Sequence, residues 1–328
     1  MQFVKLSLHH DDLVHDIAFD YYGNRFATCS SDKRIKVWDQ NEETGEWSCS
    51  DISGAHVDTI WRLTWAHPEF GQLLASCSED KTVQIWEEQD IVNKSDVESR
   101  SRWQRKATIS DGKKSVNGVK FSPRHLGLQL ATASGDGNIR IYEAGDVFTL
   151  NFWSLKSVFL AEQTTGREHD SDHGATCLAW NECVFEPPKL VVGGYSRYAS
   201  IWKCDNGGKW HQEVTLDPHI EAVNDVAWAP AMGRSFHMIA TAGREKSFKI
   251  HSLERKEGGV LEYIAGSSKT VETNSDIWRV AWNATGTVLA TSSEDGSVGL
   301  WRKDFSGEWI NVQQIETGME NTRSFYAA

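Results

Sequence analysis

The stretch ASCSEDKTVQIW (75–86) returns as ATSSEDGSVGLW (290–301). The same frame is also written as ATCSSDKRIKVW (27–38), ATASGDGNIRIY (131–142), VVGGYSRYASIW (191–202) and ATAGREKSFKIH (240–251). Recurrence at a steady interval constrains a fold strongly, because each copy is one supersecondary unit that needs neighbours to bury its apolar faces. The six copies end at Trp38, Trp86, Tyr142, Trp202, His251 and Trp301, at intervals of roughly fifty residues. Within one copy, Val83 and Ile85 alternate with Gln84, the period of a strand with one buried face. Ser78, Glu79 and Asp80 suit the tight reversal before it.

Two further phrases accompany the frame. Before each copy stands a short strand ending in a ring: HDIAF (15–19), WRLTW (61–65), NGVKF (117–121), TCLAW (176–180), NDVAW (224–228) and WRVAW (278–282). After most copies a strand opens on Trp: EWSCSDI (46–52), RWQRKATI (102–109), FWSLKSVFL (152–160), KWHQEVTL (209–216) and EWINVQQI (308–315). The fifth repeat offers only LEYIAG (261–266) there, a weaker match. Four short antiparallel strands per repeat predict an all-β, six-bladed β-propeller. The expected boundaries are approximately 11–53, 54–110, 111–167, 168–217, 218–270 and 271–317, one domain over 1–317, with a polar tail over 318–328.

The N-terminal FVKLSLHH (3–10) resembles the outer-strand phrase and is one strand more than six blades use. Two readings stand. It marks a seventh blade that another chain completes, since an open ring exposes strand edges and apolar faces. Otherwise it pairs with the edge of the last blade or stays loose, as termini often do.

Composition narrows the class. Fifteen Trp against six Pro imply a core built on rings. A net charge of −12 argues against a broad phosphate-binding surface. MQFVKLSLHH has no apolar h-region and no run reaches membrane-spanning length, so neither a secretory signal nor a membrane span is expected. Six Cys without a C-x-x-C pair predict a reducing, cytosolic or nuclear setting.

Gly54–His56, Asp80 and Trp86 resemble the WD-repeat family, in which His, a turn Asp, Ser or Thr and Trp form a hydrogen-bond chain within a blade. The resemblance implies that chain for His56, Ser76, Asp80 and Trp86 in full. Repeat one offers His9 or His10 with Asp32 and Trp38. Repeats three and six keep Asp136, Asp295 and Trp301 without an evident His, while Ser196 and Glu245 replace the Asp in repeats four and five. The expected role is to satisfy buried polar groups. More narrowly, IWRLTWAHPEFGQLLASCS (60–78), GLQLATASGDGNIRIYEAGDV (127–147), GRSFH (233–237) and DIWRVAWNATGTVLA (276–290) resemble the SEH-type nucleoporins, along nearly the whole chain. A sibling, the SEC-thirteen-type propeller of the COPII coat and the pore, is resembled at HDIAFDYYGNRFATCSSD (15–32) and WAHP (65–68).

The SEH-type resemblance implies a non-enzymatic scaffold subunit of the Y-shaped nuclear pore coat, supporting nucleocytoplasmic transport of mRNA and protein. It implies an open propeller completed in trans by an α-helical nucleoporin, which favours the first reading of the surplus strand. The implied partner-binding residues are Phe3, Val4, Leu6, Leu8, Ile17, Phe19, Trp278, Val280 and Trp282. Other Y-complex nucleoporins and a GATOR-type nutrient-signalling complex at the lysosome or vacuole are further implied partners. A COPII-type coat propeller is the alternative.

Catalytic constellations are weak. EHDSDH (168–173) gathers carboxylates and imidazoles but matches no ordered zinc frame, and reads as an acidic solvated loop. No G-x-x-x-x-G-K-[ST] loop exists to hold phosphate, so no cofactor is expected. RSRWQRK (100–106) reads as a solvated outer strand rather than a nucleic-acid contact. His15–Asp16, Asn224–Asp225 and Asp276 recur inside the first strands; their recurrence favours an architectural role over a ligand ring.

Overall fold

The computed structural model describes residues 6–89, 102–161, 174–256 and 259–316. Every described strand belongs to one of six antiparallel sheets. Blade one is β1 (Val14–Phe19), β2 (Arg25–Ser30), β3 (Ile35–Gln40) and β4 (Trp47–Ile52); blade two is β5 (Ile60–Trp65), β6 (Leu73–Ser78), β7 (Val83–Glu88) and β8 (Trp103–Ile109). Blade three is β9 (Val116–Phe121), β10 (Gln129–Ser134), β11 (Asn138–Ala144) and β12 (Trp153–Leu160); blade four is β13 (Ala175–Trp180), β14 (Lys189–Gly194), β15 (Ala199–Cys204) and β16 (Trp210–Thr215). Blade five is β17 (Val223–Trp228), β18 (Phe236–Gly243) and β19 (Ser247–Arg255), flanked by β20 (Leu261–Glu262) and β21 (Lys269–Glu272). Blade six is β22 (Ile277–Trp282), β23 (Val288–Ser293), β24 (Ser297–Lys303) and β25 (Trp309–Glu316).

The central hairpin turns share one backbone device. Lys33, Lys81, Gly137, Arg197, Lys246 and Gly296 all take positive φ, between 55° and 80°, at the same turn position. Where the preceding residue is Asp, its carboxylate pins the turn by accepting the backbone N–H two residues on: Arg34 to Asp32, Thr82 to Asp80, Asn138 to Asp136 and Ser297 to Asp295. A local carboxylate–amide bond of this kind offsets the cost of left-handed backbone at Lys33 and Lys81.

Two expectations change. The fifth outer strand is β21, which pairs with β19 from Ser247↔Glu272 to Ile250↔Lys269. LEYIAG supplies only the two-residue β20 at the far end of β19. The fifth blade therefore runs past 270, and the expected boundary falls inside β21. The expected strand over 3–10 is not a strand over its described part, 6–10. His9 has φ 50°, and the carbonyls of Leu8 (3.3 Å) and His9 accept from Lys36 Nζ.

Each innermost strand packs on the next: β1 on β5, β5 on β9, β9 on β13, β13 on β17 and β17 on β22. Side chains latch the first, third and fifth steps. Trp65, Trp180 and Trp282 donate their indole N–H to the carbonyls of Ala18, Lys120 and Ala227 in the preceding blade. Asp16 and Asp225 accept the backbone N–H of Leu63 and Val280 in the following blade, 3.0 Å each. Their architectural reading therefore fits the geometry.

Candidate functional site

Six blades enclose only five interblade cores among the described residues, joining one to two, two to three, three to four, four to five and five to six. Register makes the missing sixth measurable. In blade five, Ala240 and Ala242 pair with Ile250 and Phe248 on the face turned to blade six, and all four are at most 2% exposed. The register equivalents in blade six are Ala290 and Ser292, paired with Leu300 and Val298, and all four are only half-buried. The face turned to the preceding blade gives the same result. Ile60 and Leu63 of blade two are fully buried, as is Ile277 of blade six, with Val280 at 5%. Their equivalents in blade one, Val14 and Ile17, are 37% and 50% exposed, and Phe19 is 59% exposed. The gap between blades six and one is thus walled by residue types that are core everywhere else. Fully burying one such side chain is worth about 1.5–3 kcal/mol.

This geometry sorts the sequence-based site residues. Ile17 and Phe19 lie on the gap wall of blade one. Val280 and Trp282, expected on the same gap, occupy the same register positions in blade six and pack into the blade-five core. Equivalent positions in a rotary fold face the same way round the axis, so the two walls of a gap must be opposite faces of their blades. The wall of blade six is instead Ala290, Ser292, Val298 and Leu300, which the sequence reading missed. Trp278 lies on a β-bulge, away from this wall, beside the Arg244 guanidinium. Leu6 and Leu8 are half-buried; Phe3 and Val4 lie outside the described residues, as does EHDSDH.

Near the axis the gap is spanned by one side chain. Arg279 of blade six donates from Nη2 to His15 O (3.0 Å) in blade one and Trp61 O (3.5 Å) in blade two. Its Nε lies 3.7 Å from Asp16. Arg62 of blade two reaches straight across to Asp225 of blade five at 2.9 Å, both almost fully buried.

The blade networks are fuller than the sequence suggested. His10, not His9, serves blade one, bonding Asp32 at 2.7 Å and Thr28 at 2.8 Å, with Trp38 donating to Thr28 at 3.4 Å. In blade two His56 bonds Asp80 (2.9 Å) and Ser76 (2.8 Å), and Trp86 donates to Ser76 (3.1 Å). Blade five completes the chain with substitutes: His219 bonds Glu245 (2.8 Å) and Thr241 (2.7 Å), and His251 stands where Trp is usual, bonding Thr241 at 3.1 Å. Burial raises the Asp80 carboxyl, but hydrogen bonds from His56, Thr82 and the Val57 N–H outweigh it and hold the group well below the usual carboxylate range. Burial lowers His251 to about 3, with the nearby His219 adding to the effect.

Blade three replaces the His with Arg140, paired to Asp136 at 2.6 Å. Blade six keeps Trp301 on Thr291 (3.0 Å) and Asp295, and holds a cavity of about 160 Å³ where the imidazole would be. Two residues of the basic stretch at β8 form ion pairs, Arg102 with Asp39 (3.0 Å) and Lys106 with Glu87 (2.7 Å).

The family model described as "WD domain, G-beta repeat" matches residues 2–39, 47–87, 103–143 and 266–302. The chain is also similar to curated proteins along most of its length. It is 40% identical to nucleoporin SEH1 of Xenopus tropicalis over 92% of this chain and 84% of that protein. Against nucleoporin SEH1 of Danio rerio it is 40% identical, over 92% and 83%. Against that of Homo sapiens it is 40% identical, over 92% and 84%.

Proposed function

The chain belongs to the nucleoporin SEH1 family of WD-repeat propellers, and from that premise we propose how it is built into the pore: the gap between blades six and one receives strands donated by an α-helical nucleoporin. The protein is a non-enzymatic structural subunit of the nuclear pore scaffold at the nuclear envelope, associated with other nucleoporins. The observation that carries the proposal is the pair of half-exposed core faces, Val14–Ile17 on one side and Val298–Leu300 on the other. A donated sheet inserted there buries both faces and pairs with open strand edges.

The test is affinity purification of the tagged full chain from its own cells, beside an Ile17→Asp/Leu300→Asp double variant. Wild type is expected to recover one helical nucleoporin at equal stoichiometry, and the variant to lose it while keeping its thermal midpoint. Equal recovery by both chains would refute the proposal. A GATOR-type complex at the lysosomal or vacuolar surface, as a second assembly using the same gap, is read out in the same purification.

A further inference from the structure

On the reading proposed above, that a donated sheet fills the gap, the chemistry of its innermost strand follows from how the existing blades are stitched. The innermost strand of every blade carries a register shift near its start, where one residue is skipped by the ladder. Such a bulge re-aims side chains. From the skipped position, Asn117, Thr176 and Asn224 donate to the first carbonyl of the next inner strand: Ala175 O (3.1 Å), Val223 O (2.6 Å) and Ile277 O (2.9 Å). From the position after it, Asp16 and Asp225 accept the N–H of Leu63 and Val280 in the next blade. Asn224–Asp225 makes both bonds at once, and Asp225 gives its second oxygen to Arg62 at 2.9 Å.

Blade one turns the same two backbone groups to the gap. Val14 O is the register equivalent of the Ala175, Val223 and Ile277 carbonyls, and Ile17 N–H is the equivalent of the Leu63 and Val280 N–H groups. Blade six holds Trp278 and Arg279 at its own two stitching positions. Indole and guanidinium are donors without an acceptor, so neither can serve the Ile17 N–H.

Arg279 supplies the second half of the argument. Round the axis, the bulge of a seventh inner strand falls between Arg279 and Asp16. The Arg279 Nη atoms donate to the carbonyls of His15, Trp61 and Trp278. Its Nε is buried, makes no hydrogen bond among the described residues, and stands 3.7 Å from Asp16. A carboxylate at the seventh bulge would take the Ile17 N–H on one oxygen and the Arg279 Nε–H on the other. That is the pair of bonds Asp225 makes, a next-blade N–H and a channel guanidinium. Bonds of this kind are charge-assisted, whereas a cation at the same place would be set against Arg279.

We infer that the innermost donated strand carries an Asp at its bulge, preceded by Asn, Ser or Thr, with the first side chain on Val14 O and the carboxylate shared by Ile17 N–H and Arg279. Arg279 is then the residue that sets the register of the inserted chain. A slip of one residue turns every side chain of a strand to the wrong face, and it would also carry the carboxylate away from the guanidinium.

The experiment uses the native complex, recovered through the tagged full-length chain carrying Arg279→Lys. A water-soluble carbodiimide joins an amine to a carboxylate in contact with it, with loss of one water. Mass spectrometry is expected to find position 279 joined to one partner Asp that directly follows Asn, Ser or Thr. Arg279→Gln, which has no amine, should lose the cross-link. That variant, and Asn in place of the partner Asp, should each speed dissociation at least about tenfold, and the two together no more than either alone. A cross-link to Asp16 alone, no cross-link, or additive effects would each overturn the inference. In the wild-type complex, the partner segment protected from hydrogen exchange must contain the same dipeptide, and a protected segment without it overturns the inference whatever the variants do. Recovery of the partner by the Ile17→Asp/Leu300→Asp chain would sink the gap reading itself. Loss of the partner by that chain, with no carboxylate found beside position 279, sinks only this inference.

Discussion

Replacing Thr273 by His should finish a blade that the sequence leaves unfinished. His10, His56 and His219 each stand four residues before the first residue of their blade's inner strand, at Val14, Ile60 and Val223. In blade six that position, four before Ile277, is Thr273. Thr273 borders the roughly 160 Å³ cavity together with Thr291, Asp295 and Trp301, the groups that meet an imidazole in other blades. An imidazole there gains bonds to Asp295 and Thr291, about 1.5 kcal/mol each. Against this, fixing the ring costs about 1 kcal/mol, and the Thr273 hydroxyl loses its bonds to Lys246 O and Ser275 O, both 2.9 Å, about 1 kcal/mol together. The net is about 1 kcal/mol of stabilisation, or about 2 °C in thermal midpoint for a chain of this size. The assay is equilibrium urea unfolding with calorimetry, run for Thr273→His, Asp295→Ala and the double variant. The gain must vanish in the Asp295→Ala background. A gain that survives there, or no gain at all, would refute the idea that this cavity is a vacant imidazole slot.

Leu300→Asp and Ile250→Asp test the open face directly, because the two residues are register equivalents in adjacent blades. By chemical denaturation, the first should cost under about 1 kcal/mol and the second over about 4 kcal/mol. Arg62→Ala leaves Asp225 buried without its cation, and should cost about 3–5 kcal/mol by the same measurement. Stability should also fall as pH drops from 7 to 5. Burial lowers His251 to about 3 in the folded chain, so the unfolded chain, titrating near 6.5, binds the proton first and gains on acidification. This amounts to about 2 kcal/mol at pH 5, and His251→Asn should flatten the slope in a pH series of urea midpoints. Below about pH 4 a second loss begins, as the lowered carboxylates Asp32, Asp80 and Asp136 are protonated in the unfolded state first.

The strand framework was legible because a period-two pattern, a turn signal and a terminal ring coincide in nearly every blade. It failed at the fifth outer strand, where Lys269–Glu272 lacks the opening Trp and LEYIAG carries more aromatic and apolar signal. The count of copies pointed to an incomplete ring, but not to which faces it exposes. Val280 and Ile17 look alike in sequence, yet only a rotary arrangement tells that one meets a neighbour and the other does not. Two substitutions by function rather than by type also escaped notice. Arg140 stands in for a His and His251 for a Trp, each preserving a charge or a hydrogen bond but not the residue. Arg62 and Asp225 lie 163 positions apart in the chain, and no local pattern could have paired them. The Lys189–Glu186–His237–Arg255 cluster between blades four and five was equally invisible, since each member alone looks like a solvated side chain.

Among the described residues, five cores between six blades give this molecule ends. A closed ring gives every blade a core on both sides, whereas here the first and last blades each share a core on one side only, as in a linear array with nearest-neighbour coupling. Local opening should then be cheapest at the termini of the array, so amide hydrogens of β1 and β23 exchange faster than their counterparts β9 and β14 in its middle. A chain seated in the gap would convert the array into a loop and abolish its ends. Protection would then rise most in the two blades farthest apart in sequence, and least in blades three and four.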